Sequence, residues 1–326
     1  MDKELSLQKD LFSRIKELDG TRHAHLYVAF VVCGVCVGQV LQCYTDMLIT
    51  CRINRENPTC FQLIDCKDDN CTTHVLAIIN DKTTEDRNML MNEATNILVR
   101  CGLIPKKHGE LFSVSRGWCE DSLCVVDRNA APFFGVTSVG VHLNCFVRTE
   151  HGNVEVWMAR RASTKSKYPS KWDPTVAGGL PVGMGLFENV IKEAEEEAGI
   201  PNTMVTIGAK SAGVLSQMTC CSDGSCLKQS LYFIWDMEVD KDFIPHPADG
   251  EVDKFERWSV ETLESEVRQG ERLRPAMRLV ATDFLIRHGV ITPDREPQLV
   301  KIQSAMHQDR YIFPHKGAID SGASEN

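Results

Sequence analysis

Residues 178–200 read Gly-Gly-Leu-Pro-Val-Gly-Met-Gly-Leu-Phe-Glu-Asn-Val-Ile-Lys-Glu-Ala-Glu-Glu-Glu-Ala-Gly-Ile, a glycine-rich loop running into one helix. On a helix, positions i, i+3 and i+4 share a face, so Glu193, Glu196 and Glu197 converge. Glu195 leaves that face. Like charges packed so closely destabilise a helix unless a counter-ion joins them. Hard divalent cations take oxygen ligands and commonly combine one or two carboxylates with substrate phosphates. The competing reading is an acidic, solvated helix face. Against it stand Gly178 and Gly179 before the loop, Gly183 and Gly185 inside it, and Gly199 at the helix stop, where glycine accepts the left-handed conformation. The stretch predicts a metal-dependent phosphate site at a loop–helix junction.

The rest of the chain has to supply a scaffold for that junction. At 326 residues with 43% hydrophobic content, it can bury one large core or two moderate ones. A formal net charge of −9 argues against a nucleic-acid polymer held by bulk attraction. Residues 26–45 are uncharged, but Gly34, Gly38, Gln39 and Gln42 interrupt their apolar character, which predicts buried strands and no membrane span. The first ten residues are mixed in charge and have no apolar signal core, so a cytoplasmic location is expected, with organelle targeting left open. Fourteen cysteines without a secretion signal predict reduced thiols. Cys33 and Cys36 form a C-x-x-C inside an apolar run and read as buried strand thiols, and no cysteine trio has zinc spacing.

Hydrophobic period divides the chain in two. Leu7, Leu11, Ile15 and Leu18 predict a helix over 5–18. Strands follow at 27–32, 35–41 and 61–64, then a helix over 81–101 capped by Thr83 or Thr84 and closed by Gly102. Short apolar runs at 111–114 and 122–126 predict a hairpin, and residues 127–134 a connection. Further strands are expected at 139–148, 154–161, 174–177, 205–215, 230–239 and 255–260, with helices from 259 or 261 to 269 and from 275 to 288. A disordered tail is expected beyond Lys316. This order suits an α/β/α sandwich with a mixed sheet, preceded by a smaller α+β domain. The expected boundaries are 1–130 for the first domain, 131–290 for the second and 291–326 for an extension.

The segment around the helix resembles the Nudix box, G-x5-E-x7-R-E-U-x-E-E-x-G-U with U aliphatic. Glu193, Glu196, Glu197, Gly199 and Ile200 fall on its second half and Gly178 on its first glycine. Lys192 replaces the usual arginine, and Met184 the first glutamate. The likeness extends to Phe134-Gly135-Val136, Gly140-Val141-His142-Leu143-Asn144, Val156 to Arg161, Tyr168-Pro169, Trp172-Asp173, Asp249-Gly250-Glu251-Val252 and Asp283 to Gly289. Together these look like the thiamine-pyrophosphokinase-related branch of Nudix hydrolases, in which an extra N-terminal domain precedes the catalytic one.

That resemblance implies a Nudix fold from about Gly135 to Gly289 and hydrolysis of a small-molecule diphosphate with Mg²⁺ (or Mn²⁺). Substrates attached to such proteins include oxidised thiamine diphosphate, giving the monophosphate and phosphate; oxidised nucleoside diphosphates of the 8-oxo-dGDP type are the alternative. Glu193 and Glu197 are expected as metal ligands, with Glu196 adjacent, and Glu251 as a further acid. Gly178 and Gly179 let the backbone approach phosphate closely. Arg160 or Arg161 could fork onto phosphate, only one facing inward by strand alternation. His142 and Asn144 share one strand face and are candidate substrate contacts, with a structural histidine the competing reading. Trp172 fits a stacking ring and a core residue equally well. Rival classes are a thiamine pyrophosphokinase and a non-catalytic binding module. No G-x-x-x-x-G-K-[ST] loop supports the first, and the three box acids oppose the second.

Overall fold

A computed structural model describes residues 10–20, 25–50, 60–68, 71–79, 83–221 and 224–307. Two units follow one another. The first is built on a four-stranded sheet of order β2-β1-β4-β3, with β1 Tyr27–Val32, β2 Val35–Leu41, β3 Phe61–Asp68 and β4 Cys71–Ile78. β1 and β2 form an antiparallel hairpin, while β1 and β4 run parallel. Helices α2 Thr45–Ile49 and α3 Thr84–Arg100 complete the unit with a two-stranded sheet, β5 Leu111–Val114 and β6 Cys124–Asp127. Thr83 caps α3, accepting from Asp86 N while the Asp86 carboxylate accepts from Thr83 N. That reciprocal cap makes Thr83, one of the two expected caps, the N-cap and starts the helix at Thr84, inside the expected range 81–101.

Phe30, Phe61 and Phe134 meet in this unit's core, the rings of Phe30 and Phe134 lying 5.2 Å apart. The connection from β6 is therefore packed, with a 3-10 turn at Ala131–Phe134. Two expectations are corrected here. Cys33 is no buried strand thiol: it is exposed and, with Gly34, makes the two-residue turn of the β1–β2 hairpin, both at positive φ (50° and 73°). Such turns match the twist of the flanking strands. β4 is also a strand that the sequence reading left out, because its first half, Cys71-Thr72-Thr73-His74, reads as a polar turn.

The second unit carries a seven-stranded mixed sheet. Its main path is β11-β12-β7-β8-β13: β7 Thr137–Arg148, β8 Val154–Arg161, β11 Lys210–Cys220, β12 Leu227–Glu238 and β13 Val252–Ser259. β7 and β12 are parallel and the other pairs antiparallel. Short strands β9 Trp172–Asp173 and β10 Val176–Gly179 pair with β8 and β7. Because β7 pairs with β10 over 140–143 and with β8 over 146–148, the sheet forks. Thr175 fills the fork, its hydroxyl accepting from Cys145 N (2.9 Å) and donating to Trp157 O (2.7 Å).

One face of this sheet packs on α4 Leu186–Ala198 and α5 Asn202–Gly208, through Val141, Leu143, Cys145, Val190 and Ala194. The opposite face packs on α6 Val260–Arg268, α7 Met277–Arg287 and α8 Leu299–Met306, through Phe146, Met158, Tyr232, Ile234 and Phe284. Helix α1, Leu11–Lys16, joins this second core with Leu11 and Ile15. The unit is the expected α/β/α sandwich with a mixed sheet, preceded by an α+β unit.

Residues 205–215, read as one strand, instead split into the end of α5 and the start of β11. Pro201 sits at the N-cap of α5 and Val205 is its one buried side chain, so a short docked turn overrides the strand preference of Val-Thr-Ile. Helix α8 was likewise not anticipated. Cys221 and Cys226 form a disulfide, which corrects the expectation of reduced thiols at that turn. Residues 5–9 of the first predicted helix and the tail beyond Lys316 lie outside the described residues. No helix among the described residues is long and apolar enough to cross a membrane.

Candidate active site

The loop after β10 and helix α4 are tied together before any acid is placed. Gly185 at the N-cap donates its N–H to Glu188, and Asn189 Nδ2 donates to Gly179 O at 2.9 Å. Gly199 closes the helix at φ 61°. Gly178 is required by packing. A Cβ there would lie 2.3 Å from the carboxyl carbon of Glu193, so only glycine lets the strand and this acid meet.

The acids fall into two depths. Glu197 is buried and accepts from Ala177 N at 2.9 Å, along the free edge of β10. Glu193 is mostly buried, and Lys192 Nζ sits 3.3 Å from it and 2.7 Å from Glu196. Glu196 is half-exposed. Lysine at position 192 therefore still bridges two carboxylates, without the planar fork of arginine. Glu195 is exposed on the other side of the helix. We expect Glu195→Gln to keep turnover within about twofold of wild type, since surface changes away from packed features are small. Damage comparable to a Glu197 substitution, in the same phosphate-release assay, would mean that α4 presents a different face.

Glu251 enters from the turn before β13. Its N–H donates to Asp249 Oδ1, Gly250 takes φ 82°, and its carbonyl accepts from Ala162 N. Its carboxylate pairs with Lys165 Nζ at 2.5 Å. Burial pushes the Glu251 carboxyl up, but Lys165, with smaller contributions from Arg128 and Arg161, holds it below the usual range. Glu197 goes the other way. Burial raises it well above that range, the Ala177 N–H opposes, and the charges of Glu193, Asp173 and Glu251 raise it further. Glu193 is also raised, by burial first, against Lys192. The negative charges of Glu193 and Glu251 thus both bear on Glu197.

Among the described residues no three His, Cys, Asp or Glu side chains come close enough to hold a metal ion by themselves. The donor chemistry still fits a hard divalent cation. Glu197 is a buried carboxylate facing further negative charge, and Mg²⁺ needs only one or two carboxylates when substrate phosphates complete its shell.

Other predicted residues lie elsewhere. Arg161 donates to Asp173 Oδ2 (2.9 Å) and to the carbonyls of Lys167 (3.0 Å) and Tyr168 (3.2 Å), so it holds the 163–172 loop. Arg160, beside it and partly buried, pairs across strands with Trp172 and Lys254. His142 and Asn144 do share a face, but it is the face turned away from α4. His142 meets Tyr232 edge-on at 5.1 Å. Asn144 Nδ2 donates to Asp236 Oδ1 (2.9 Å), which also binds Arg287 and His288 of the α7 end. Trp172 is a core ring, 5.0 Å from Trp258.

Arg128 was not anticipated. It follows β6 in the first unit, binds Glu110 Oε2 at 2.6 Å, and lies against the box loop: a Cβ on Gly179 would sit 3.4 Å from its guanidinium carbon. Leu111 O accepts from Val182 N at 3.0 Å, docking the β5–β6 hairpin on the same loop. A single arginine after a strand carries no spacing signal that could have revealed this.

Residues 140–280 match the family model of the NUDIX domain, and residues 10–138 match that of a domain of unknown function, DUF4743. Nudix hydrolase 24, chloroplastic, of Arabidopsis thaliana is 37% identical over 210 residues, 64% of this chain and 56% of that protein. Nudix hydrolase 20, chloroplastic, of the same plant is 35% identical over 225 residues, 69% of this chain and 59% of that protein. An uncharacterized protein of Saccharomyces cerevisiae is 32% identical over 218 residues, 61% of this chain and 63% of its own length. The chain thus spans somewhat over half the length of these curated relatives.

Proposed function

We propose that this chain, which carries a NUDIX domain at residues 140–280 behind a DUF4743 domain at residues 10–138, hydrolyses the diphosphate linkage of a small molecule. The observation that carries the reading is the packing of Glu193 and Glu197 against the free edge of β10, at a strand whose glycine is demanded by the acid itself. Oxidised thiamine diphosphate is the substrate we favour, on the resemblance of the motifs between Phe134 and Gly289 to the thiamine-pyrophosphokinase-related branch. The same site would serve an oxidised nucleoside diphosphate.

Mg²⁺ or Mn²⁺, when bound, supplies charge neutralisation on the phosphoryl oxygens and a more acidic water. Glu193 and Glu197 are the residues that would hold it, and Glu196 stands on the outer side of the same helical face. The room that Gly178 leaves is taken by Glu193, and that of Gly179 by Phe112 and Arg128 of the first unit, so these glycines serve the site by seating side chains and not by baring backbone to phosphate. Glu251 takes the general-base role toward water in this reading; the Lys165 pair keeps its carboxylate ionised and at the same time makes it a weaker base. Lys192 neutralises the outer carboxylates and keeps Glu193 turned toward β10.

The test is phosphate release from a panel of diphosphates with Mg²⁺ or Mn²⁺, ranked by kcat/KM. Oxidised thiamine diphosphate leading the ranking supports the reading, and 8-oxo-dGDP leading it favours the nucleotide substrate. AMP formation from ATP and thiamine would instead reveal a pyrophosphokinase. No turnover of any member, with the protein folded and metal present, rejects the hydrolase. In the same assay Glu251→Gln should lower kcat by roughly 10²-fold, the usual contribution of a general base. A loss confined to KM would reassign Glu251 to substrate binding.

A further inference from the structure

Helices α1 and α8 do not close completely on the edge strand β11. Between them lies a cavity of about 350 Å³, inside the usual range for small-molecule sites, roughly 300–1,000 Å³. Helical spacing builds two of its walls. Phe12, Ile15 and Lys16 stand at i, i+3 and i+4 on α1, and Lys301, Ser304 and Ala305 do the same on α8. Gln217 and Met218 of β11 form the third wall. β12 and β7 stand between β11 and β10, so this cavity is separate from the box acids.

Three features define what fits it. Gln217 is 7% exposed, yet its Oε1 has no hydrogen-bond partner among the described residues. A buried acceptor left unmet is costly, and an incoming N–H or O–H removes that cost. The second feature is charge. Lys16 Nζ and Lys301 Nζ lie 6.0 and 5.8 Å from the centre of the Phe12 ring, and neither forms an ion pair with a described carboxylate. Asp19 is the one carboxylate on the lining, so two positive charges face one negative. Asp10, at the N-cap of α1, is held by Ser13 and Gln298 more than by Lys301. The balance suits a single negative charge. The third feature is apolar surface, supplied by Phe12, Ile15, Met218 and Ala305, and both a phenyl face and a thioether pack well on a flat ring.

We propose that this cavity is a second binding site, for a small aromatic monoanion that carries a ring N–H donor and a carboxylate arm. The ring fills the apolar walls, its N–H donates to Gln217 Oε1, and the carboxylate lies between Lys16 and Lys301. A ring without a donor leaves Gln217 unmet, and a ligand of higher negative charge is opposed by Asp19. The site stands whether or not the hydrolase reading does, because none of its residues belongs to the box or to the loops around it.

Titration calorimetry on the full-length protein tests this with two probes. Indole-3-acetate has the ring, the N–H and the carboxylate; 1-naphthaleneacetate is a bicycle of similar size without the N–H. Wild type should bind the indole at one site and about tenfold more tightly than the naphthalene, the scale of one buried hydrogen bond. Gln217→Leu should bring the two probes within about twofold of each other. Lys16→Gln combined with Lys301→Gln should weaken both by about fivefold and remove the salt dependence of binding. Thermal melting establishes that each variant is folded. If Gln217→Leu does not fold, the lysine pair, both exposed, decides alone. Equal affinity of wild type for the two probes, or affinities that either folded variant leaves unchanged, overturns the proposal. So does an absence of binding by wild type at millimolar probe. In that case a dimer in sedimentation that the exposed Val300→Asp separates would assign the face to a second copy of the chain.

Discussion

Glu197→Gln is expected to leave the protein folded while lowering turnover by about 10²-fold or more, the scale of a lost metal ligand or transition-state contact. The amide keeps the size of the side chain, and its oxygen can still accept from Ala177 N. What it removes is charge. In wild type the charged carboxylate is disfavoured by burial, and then by Glu193, Asp173 and Glu251. A carboxyl whose folded pKa is raised makes the fold progressively less stable as pH rises past the ordinary glutamate range, because the charged form is better solvated in the unfolded chain. The glutamine variant escapes that loss. At pH 8 with chelator present, its melting temperature should equal or exceed that of wild type. Added Mn²⁺ should then raise the wild type by mass action and the variant much less. Stability and activity thus move in opposite directions, a signature that general damage to the fold does not give. Turnover within a factor of a few of wild type would sink the assignment.

The contrast among the acids shows what local pattern can carry. The shared face of Glu193 and Glu197 follows from helical period, and the stop at Gly199 from one residue's backbone freedom; both are properties of a few consecutive residues. Strand alternation likewise put His142 and Asn144 on one face. It could not say which layer covers that face, because this depends on which helices pack where. Arg128 depends on a hairpin more than 50 residues before the box helix docking onto Val182 through Leu111, a contact without a local trace. The Cys221–Cys226 bond depends on how a turn brings two thiols together, and cysteine spacing alone does not fix it. Errors of element type, such as the strand read into 205–215, arise where short-range preference and docking disagree.

Asp173→Asn should destabilise the protein by about 3–5 kcal/mol, the usual consequence of removing one partner from a buried ion pair. Asp173 is 6% exposed on β9, with Arg161 Nη1 on one oxygen at 2.9 Å and Arg274 Nε on the other at 2.6 Å. Burial pushes this carboxyl up, yet Arg274 and then Arg161 outweigh it and hold the group below the ordinary aspartate range. A depressed carboxyl contributes stability that is fully present above about pH 4 and is lost as pH falls through the folded value. Asparagine keeps the shape and leaves two guanidinium groups uncompensated. The melting temperature at pH 7 should fall by roughly 6–20 °C, and the gap to wild type should narrow as both are acidified below about pH 4. A fall of under about 2 °C would show that the arginines find other partners. The same substitution should reach the site, because Arg161 also pins the carbonyls of Lys167 and Tyr168 in the loop that holds Lys165 against Glu251. Arg161→Lys separates the two effects. It keeps the charge opposite Asp173 but loses the fork that reaches both carbonyls, so it should raise KM for the diphosphate with a smaller loss of stability.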